Sequence, residues 1–208
     1  MAQESRGLNI DGGVLKSMGV CSDKEVVIPT TVKAIGDSAF KLKKITGVVI
    51  PDTVTSIDED AFMSCKKLTS VVIPDSVKTI GEFAFANCKN LTSVVIPASV
   101  QSIGESAFSG CKKLTSVVIP GNVNKIGNSA FSCCGKLTSV TIESGVQTIG
   151  EFAFGSCNIT SLTIGEGVKT IGEGAFWGNK KLKSVTLPNS VEELDEGAFD
   201  YGIDIVRL

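Results

Sequence analysis

An Ala-Phe pair returns every 22 or 23 residues through almost the whole of this 208-residue chain. The phenylalanines of these pairs are Phe40, Phe62, Phe85, Phe108, Phe131, Phe154, Phe176 and Phe199. A period in the twenties, with apolar residues at fixed offsets, indicates a solenoid, because each unit buries its apolar side only by stacking on its neighbours. The sequence therefore predicts one elongated repeat domain.

Each repeat carries the pattern of a short β-strand that ends at a turn. Leu68, Val71 and Ile73 and their equivalents alternate with other residues, which predicts a strand with one buried face. A proline usually follows, and its ring has no N–H group to continue strand pairing. Glu143 and Gly165 replace that proline in two adjacent repeats, where we expect the turn to differ.

The Gly-Glu-x-Ala-Phe segment of each repeat predicts one or two turns of α- or 3₁₀-helix. Acidic residues stand at its start and lysines just past its end, an arrangement that complements a helix dipole. We interpret the charges as solvated ends of short helices, with a charge-recognition surface as the alternative. The acidic residues are Asp37, Glu59, Glu82, Glu105, Glu151, Glu173 and Glu196, and the lysines are Lys66, Lys67, Lys89, Lys112, Lys113, Lys136, Lys180 and Lys181.

The repeats divide the chain into three parts. Residues 1–25 are predicted to form an N-terminal arm and a capping hairpin, in which a glycine turn at residues 11–13 joins two short strands. A disordered arm is the alternative. Residues 26–199 are predicted to form eight repeats, and residues 200–208 are predicted to form a C-terminal capping strand.

The repeated phrase L-x-x-V-x-I-P-x-x-V-x-x-I-G-x-x-A-F-x-x-C resembles the BspA-type leucine-rich repeat over about residues 26–204. The resemblance implies an α/β fold: a right-handed solenoid with a parallel sheet on one face and short α or 3₁₀ turns on the other. It also implies a cell-surface or secreted protein that acts in adhesion. Residues 1–7 lack the apolar core of a signal peptide, so a cytoplasmic location is also compatible with the sequence.

Composition argues against several functional classes. The net charge of −2 disfavours nucleic acid as a partner, and the apolar runs are too short to insert into a membrane. The chain has no histidine and no phosphate-loop or nucleophile-elbow motif. Its serines and acids recur at equivalent repeat positions, whereas an active site needs different groups that converge. We therefore expect no enzyme activity, no catalytic residue, no metal site and no cofactor.

Five cysteines recur three residues after a core phenylalanine. We expect these stacked side chains to point in parallel, which favours buried thiols that act as small apolar groups over disulfides. Cys133 and Cys21 are expected to be the exposed thiols. The five recurring residues are Cys65, Cys88, Cys111, Cys134 and Cys157.

The outward positions of the predicted sheet are the candidate partner-binding site. They form a serine stripe beside a valine stripe that changes to threonine, and contiguous apolar surface of this kind marks interaction sites. The alternative is that β-branched residues simply favour strands. The candidate residues are Ser70, Val72, Ser93, Val95, Ser116, Val118, Ser139, Thr141, Ser161 and Thr163.

This face has no aromatic or arginine residue that could act as a binding hot spot. A protein or another extended surface ligand, bound weakly over several repeats, therefore fits better than a compact tight-binding partner. The alternative function is a structural spacer or a self-associating scaffold module. A third candidate is binding to a periodic surface such as a mineral or a glycan polymer.

Overall fold

A computed structural model describes residue 5, residues 7–19 and residues 24–208 of the chain. These residues form nineteen β-strands and, within the described ranges, no helix. Eight coils stack on one another, and each contains a longer strand, a two-residue strand and a turn that ends at a core phenylalanine. We number coils 1 to 8 by these phenylalanines, from Phe40 to Phe199.

The strands fall into three groups. β1 (Leu8–Asp11) and β2 (Val14–Met18) form an antiparallel hairpin. The longer strands are β3 (Glu25–Val27), β5 (Gly47–Val49), β7 (Ser70–Val72), β9 (Ser93–Val95), β11 (Ser116–Ile119), β13 (Ser139–Ile142), β15 (Ser161–Ile164), β17 (Ser184–Leu187) and β19 (Asp204–Arg207). The two-residue strands are β4 (Ala34–Ile35), β6 (Ser56–Ile57), β8 (Thr79–Ile80), β10 (Ser102–Ile103), β12 (Lys125–Ile126), β14 (Thr148–Ile149), β16 (Thr170–Ile171) and β18 (Glu193–Leu194).

The longer strands lie on one side of the solenoid, which we call the sheet face. They pair in parallel as three sheets, β3-β5-β7-β9, β11-β13-β15 and β17-β19. Equivalent residues face one another across each pair, for example Val71 and Val94. At Glu143 and Gly165 the backbone N–H groups donate to the preceding coil, at Ile119 O (2.9 Å) and Ile142 O (2.8 Å). A proline at either position could not make that bond.

The short strands form a second, uninterrupted parallel sheet that the sequence reading did not predict. It runs β2-β4-β6-β8-β10-β12-β14-β16-β18, with β1 antiparallel at its edge. Two residues per strand are too few to show the alternation by which strands are recognised in sequence. The solenoid is thus held by a second parallel sheet on a different side from the sheet face.

The hairpin adjoins the first coil. β2 pairs in parallel with β4, and the side chains of Leu15 and Met18 are buried. Gly12 and Gly13 adopt φ of 56° and 78°, which glycine reaches without steric cost. The boundaries predicted for the capping segments, 1–25 and 200–208, stay predictions.

The predicted helical turns are wrong. In coil 4 the N–H of Ser106 donates to Asn128 O (2.8 Å) and that of Phe108 donates to Ala130 O (2.7 Å), both in the next coil. The next N–H, that of Ser109, donates three residues back, to Ser106 O (3.0 Å). An α-helix instead needs bonds four residues back along one segment. The described part of the fold is therefore all-β, and the α/β description is corrected.

Left-handed residues explain why these turns are not helical. In coil 4, Ser106 and Gly110 adopt φ of 53° and 71°. Such residues interrupt any right-handed helix after a single turn. The turns of coils 1–3 and 5–7 contain positive-φ residues at equivalent positions, namely Ser38, Leu42, Asp60, Ser64, Phe83, Asn87, Ser129, Cys133, Phe152, Ser156, Gly174 and Gly178.

A stack of eight phenylalanine rings forms the centre of the core. Adjacent ring centroids lie 4.8–5.4 Å apart, and the ring planes deviate by 3–8°. Coils in register at the spacing of paired strands impose this stacking. The rings from Phe40 to Phe176 are completely buried.

Candidate functional site

The structure brings the ten predicted partner-binding residues onto the sheet face. They occupy outward positions of β7, β9, β11, β13 and β15. Eight are exposed, and Ser139 and Thr141 are half-buried. Within each sheet the equivalent residues are direct neighbours, as in the pairs Val72–Val95 and Thr141–Thr163. The serine and valine stripes are therefore real rows, while their role in binding stays a prediction.

Four valines form an exposed apolar column on this face. Val49, Val72, Val95 and Val118 are exposed by 57, 74, 70 and 50% respectively. They lie on the consecutive strands β5, β7, β9 and β11. Threonine continues the column from β13 onward. An uncharged, mainly apolar strip thus crosses half of the coils.

A groove crosses the column where the strand pairing is interrupted. β9 and β11 belong to different sheets, and between them lies a groove of about 450 Å³. The residues that line it include Val95, Val118, Ala98, Pro120 and Glu143. A carboxylate oxygen of Glu143 accepts a hydrogen bond from the Gly121 N–H, 3.3 Å away. One charged group therefore lines a mainly apolar groove.

The sequence pattern did not predict three of the residues that line this groove. Ala98, Pro120 and Glu143 belong to turns, and their approach to β9 and β11 depends on how neighbouring coils stack. One signal was present in the sequence, because Glu143 breaks the proline pattern at this place.

The repeated cysteines are buried and hydrogen-bonded, and we call them the cysteine column; they are Cys65, Cys88, Cys111, Cys134 and Cys157. Each thiol donates to the carbonyl of the phenylalanine in the adjacent coil, as Cys111 Sγ does to Phe85 O at 3.3 Å. Burial raises the pKa of Cys65 and of Cys111 to about 12, and it raises the pKa of Cys88 as well. These three thiols are therefore protonated at neutral pH, and a protonated thiol is a poor nucleophile and metal ligand.

The two cysteines outside the cysteine column, Cys133 and Cys21, are the ones that the sequence predicts to be exposed. Cys133 is exposed, which confirms the prediction. Cys21 lies outside the described residues. In the part of the chain that the structure describes, no cluster of three or more Cys, Asp or Glu side chains is placed to hold a metal ion.

Asn179 takes the place of the cysteine in coil 7 and keeps its function. The side chain is fully buried, and its Nδ2 donates to Phe154 O (2.9 Å) and to Phe176 O (2.7 Å). Its Oδ1 also accepts from the N–H of Ile159 (3.0 Å). In coils 2 to 7 this repeat position therefore holds a small buried donor to a phenylalanine carbonyl, which is a thiol or an amide.

We expect Asn179→Ala to lower the free energy of unfolding by about 2 kcal/mol or more, because it leaves the buried Ile159 N–H without a partner. Asn179→Cys restores the repeat residue and its donor to Phe154, so it should cost less. Denaturant unfolding of the two variants measures the difference. Equal losses for alanine and cysteine would show that the hydrogen bonds at this position do not matter.

Comparison with known protein families matches the sequence model of the BspA-type leucine-rich repeat region, in six copies, to residues 18–136 and 111–207. The chain belongs to the BspA-type leucine-rich repeat family. This agrees with the resemblance of the repeated phrase, and it accounts for the parallel solenoid of about eight turns.

Solved structures of leucine-rich repeat proteins share this BspA-type fold. A T. pallidum leucine-rich repeat protein is 28% identical in sequence, and the two structures superpose with a TM-score of 0.75. The match includes 84% of this chain and 86% of the T. pallidum protein. A leucine-rich repeat protein from Eubacterium ventriosum is also 28% identical, with a TM-score of 0.66. The match includes 89% of this chain and 45% of the Eubacterium ventriosum protein.

The pneumococcal vaccine antigen PcpA is similar in fold alone. It is 18% identical, with a TM-score of 0.53, and the match includes 89% of this chain and 62% of PcpA.

Comparison with curated proteins gave no match. Among the described residues, none form a helix of the length and apolarity needed to cross a membrane.

Proposed function

We propose that this chain is a non-catalytic recognition module that binds an extended partner, a protein in the first instance, through its sheet face. The exposed valine column is the observation that carries the proposal. Burying such β-branched side chains contributes about 25 cal/mol per Å² of apolar surface removed from water. Contiguous exposed apolar surface of this kind marks interaction sites.

The shape of the face favours a partner that lies across the coils. The column follows the stacking direction from Val49 to Val118, and the groove between Val95 and Val118 gives a bound segment one place to insert a side chain. A basic side chain there would meet the Glu143 carboxylate. None of the ten candidate residues of the face is aromatic or an arginine, so the affinity is spread over many small contacts.

The arrangement of polar groups supports a role without catalysis. Equivalent residues form rows, and a reaction centre requires a nucleophile, a base and a charge stabiliser around one point. The column thiols Cys65, Cys88 and Cys111 are protonated and inaccessible. We place the protein at the cell surface in an adhesive role, as the resemblance to BspA-type proteins implies.

The double substitution Val95→Glu, Val118→Glu should abolish this binding. Two carboxylates on the valine column would be desolvated by an apolar partner, which disfavours the complex. We expect capture of partners from an extract of surface and matrix proteins to fall about ten-fold or more, equivalent to about 1.4 kcal/mol. The measurement is a pull-down with immobilised wild-type and variant chains, followed by quantification of each captured protein.

The matched control is Thr79→Glu, Ser102→Glu, which adds the same charge to exposed positions of β8 and β10 on the second sheet. It should capture the same partners as the wild-type chain. Capture that both double variants retain, or that both lose, would contradict recognition by the sheet face.

Self-association through the same valine column is the second candidate function. An uncharged β-branched strip fits a second copy of itself, since neither copy brings a charge to be desolvated. Sedimentation at a series of concentrations separates the two functions. A monomer at all concentrations favours recognition, whereas growth in size that Val95→Glu, Val118→Glu prevents favours the scaffold.

A further inference from the structure

The charges of this chain are separated within most of its repeats. We consider the seven stretches that run from the core phenylalanine of coils 1 to 7 to the end of the next face strand. Together these seven contain twelve lysines and no Asp or Glu, and five of the six stretches between them carry acidic residues. The net charge of −2 does not reveal this separation, because the positive and negative charges nearly cancel over the whole chain. The seven stretches are residues 40–50, 62–73, 85–96, 108–119, 131–142, 154–164 and 176–187, of which 154–164 has no charged residue.

Six of these lysines form a continuous row that we call the lysine ridge. They follow the core phenylalanines of coils 2 to 5, at the corner between the turn and the next face strand, and all six are exposed. Neighbouring coils stack with ring centroids 5.0–5.1 Å apart in this region. Three such steps make the ridge about 15 Å long. Its members are Lys66, Lys67, Lys89, Lys112, Lys113 and Lys136.

Nothing in the described part of the fold neutralises this ridge. The one ion pair among the described residues joins Lys41 to Asp60 at 2.6 Å, outside the ridge. The turns are not helices, so a helix dipole does not account for the lysines. The spacing between coils is shorter than the Debye length of about 8 Å at physiological salt. Neighbouring lysines therefore repel one another, and an anion along the ridge would relieve that repulsion.

A row of hydroxyl groups accompanies the ridge. Thr69, Thr92 and Thr138 lie beside it and are exposed. Each hydroxyl donates its proton to a carbonyl of the preceding coil, at distances of 3.1–3.3 Å. The oxygen keeps lone pairs that can accept a hydrogen bond. The corner thus offers positive charges and hydrogen-bond acceptors in parallel rows.

We propose that the lysine ridge binds a linear acidic polysaccharide. Such a polymer presents acid groups at regular intervals for the ammonium groups, and sugar hydroxyls that can donate to the threonine row. The backbone of duplex DNA has phosphates but no hydroxyl to donate. Single-stranded nucleic acid is bound by aromatic side chains on which its bases stack. The segments that carry the ridge contain no aromatic residue; they are residues 63–69, 86–92, 109–115 and 132–138.

The test measures binding of the full chain to heparin, used as a sulfated linear polysaccharide probe, with neutral dextran and a short DNA duplex for comparison. We expect binding to heparin that weakens steeply between about 0.05 and about 0.3 M salt, as ion release predicts. Dextran should not bind, and the duplex should bind at least about ten-fold more weakly than heparin at about 0.15 M salt.

Two triple variants of equal charge locate the site. The ridge variant is Lys89→Gln, Lys112→Gln, Lys136→Gln, and the control is Lys78→Gln, Lys125→Gln, Lys169→Gln, whose lysines are exposed outside the ridge. We expect the ridge variant to lose heparin affinity about ten-fold or more, and the control less than about two-fold, at about 0.15 M salt. The ridge variant should be at least as stable as the wild type, because like charges are removed.

Three outcomes overturn the proposal. Equal losses in the two variants would mean that only net charge matters. Binding of the duplex as tight as that of heparin would assign the ridge to nucleic acid. A wild-type chain that does not bind heparin at low salt would leave the ridge without this ligand class, whatever the variants do.

Discussion

Phe108→Ala lowers the free energy of unfolding by about 3–5 kcal/mol, as expected for removing a buried aromatic ring that leaves a cavity. The ring is completely buried and stacks on Phe85 and Phe131 at 5.1 and 5.0 Å. Both of its neighbours belong to the same rigid stack, so the site has little means of collapsing. Denaturant unfolding of the variant measures the loss.

Phe152→Ala is the matched control, since it removes the same ring from a position that is 39% exposed. Its cost should be much smaller than that of Phe108→Ala. The damage from Phe108→Ala should also reach both adjacent coils, because stability in a solenoid depends on nearest-neighbour contacts. Faster amide exchange in coils 3 and 5 would report this. A loss below about 1 kcal/mol would refute the central role of the phenylalanine stack.

Alkaline pH destabilises the fold through the cysteine column. An unfolded thiol has a pKa of about 8.5, whereas burial holds the pKa of Cys65 and of Cys111 at about 12. Between about pH 9 and about pH 12 the native state keeps these protons and the unfolded state loses them. Stability must therefore fall as pH rises, by about 1.4 kcal/mol per pH unit for each thiol.

Below about pH 8 both states hold the thiol protons, so this contribution to stability is constant there. Denaturant midpoints at a series of pH values between about 8 and about 11 measure the slope. Cys111→Ala should reduce that slope by the contribution of one thiol, about 1.4 kcal/mol per pH unit. Cys133→Ala, which removes an exposed thiol outside the column, should leave the slope unchanged. A slope that Cys111→Ala does not alter would contradict the role of the column.

The candidate site was largely readable from the sequence because strands obey a simple alternation. Once Val71 and Ile73 are assigned to the core, Ser70 and Val72 must point outward. All ten predicted face residues lie at such positions. The groove could not be read in this way, because it depends on an interruption of strand pairing between β9 and β11. Pairing of that kind depends on the relative placement of whole coils.

The prediction of short helices in the turns was wrong because the sequence pattern does not specify their backbone conformation. The flanking charges looked like the ends of a helix, whereas the backbone adopts left-handed conformations at Ser106 and its equivalents. Serine, aspartate, asparagine and even phenylalanine occupy these positions, so no residue type signals the left-handed conformation. Its cost, about 1–2 kcal/mol per residue, is offset by hydrogen bonds to the next coil that exist only after stacking.

The sequence by itself determined the repeat, the family and the identity of the core, because a 22- or 23-residue period with apolar residues at fixed offsets admits few folds. Only the tertiary structure decided the second sheet, the non-helical turns, the groove and the convergence of lysines from separate repeats into one ridge. These features arise between coils rather than within them. Register between coils brings together residues that are about 23 positions apart, and local sequence preferences do not reach that far.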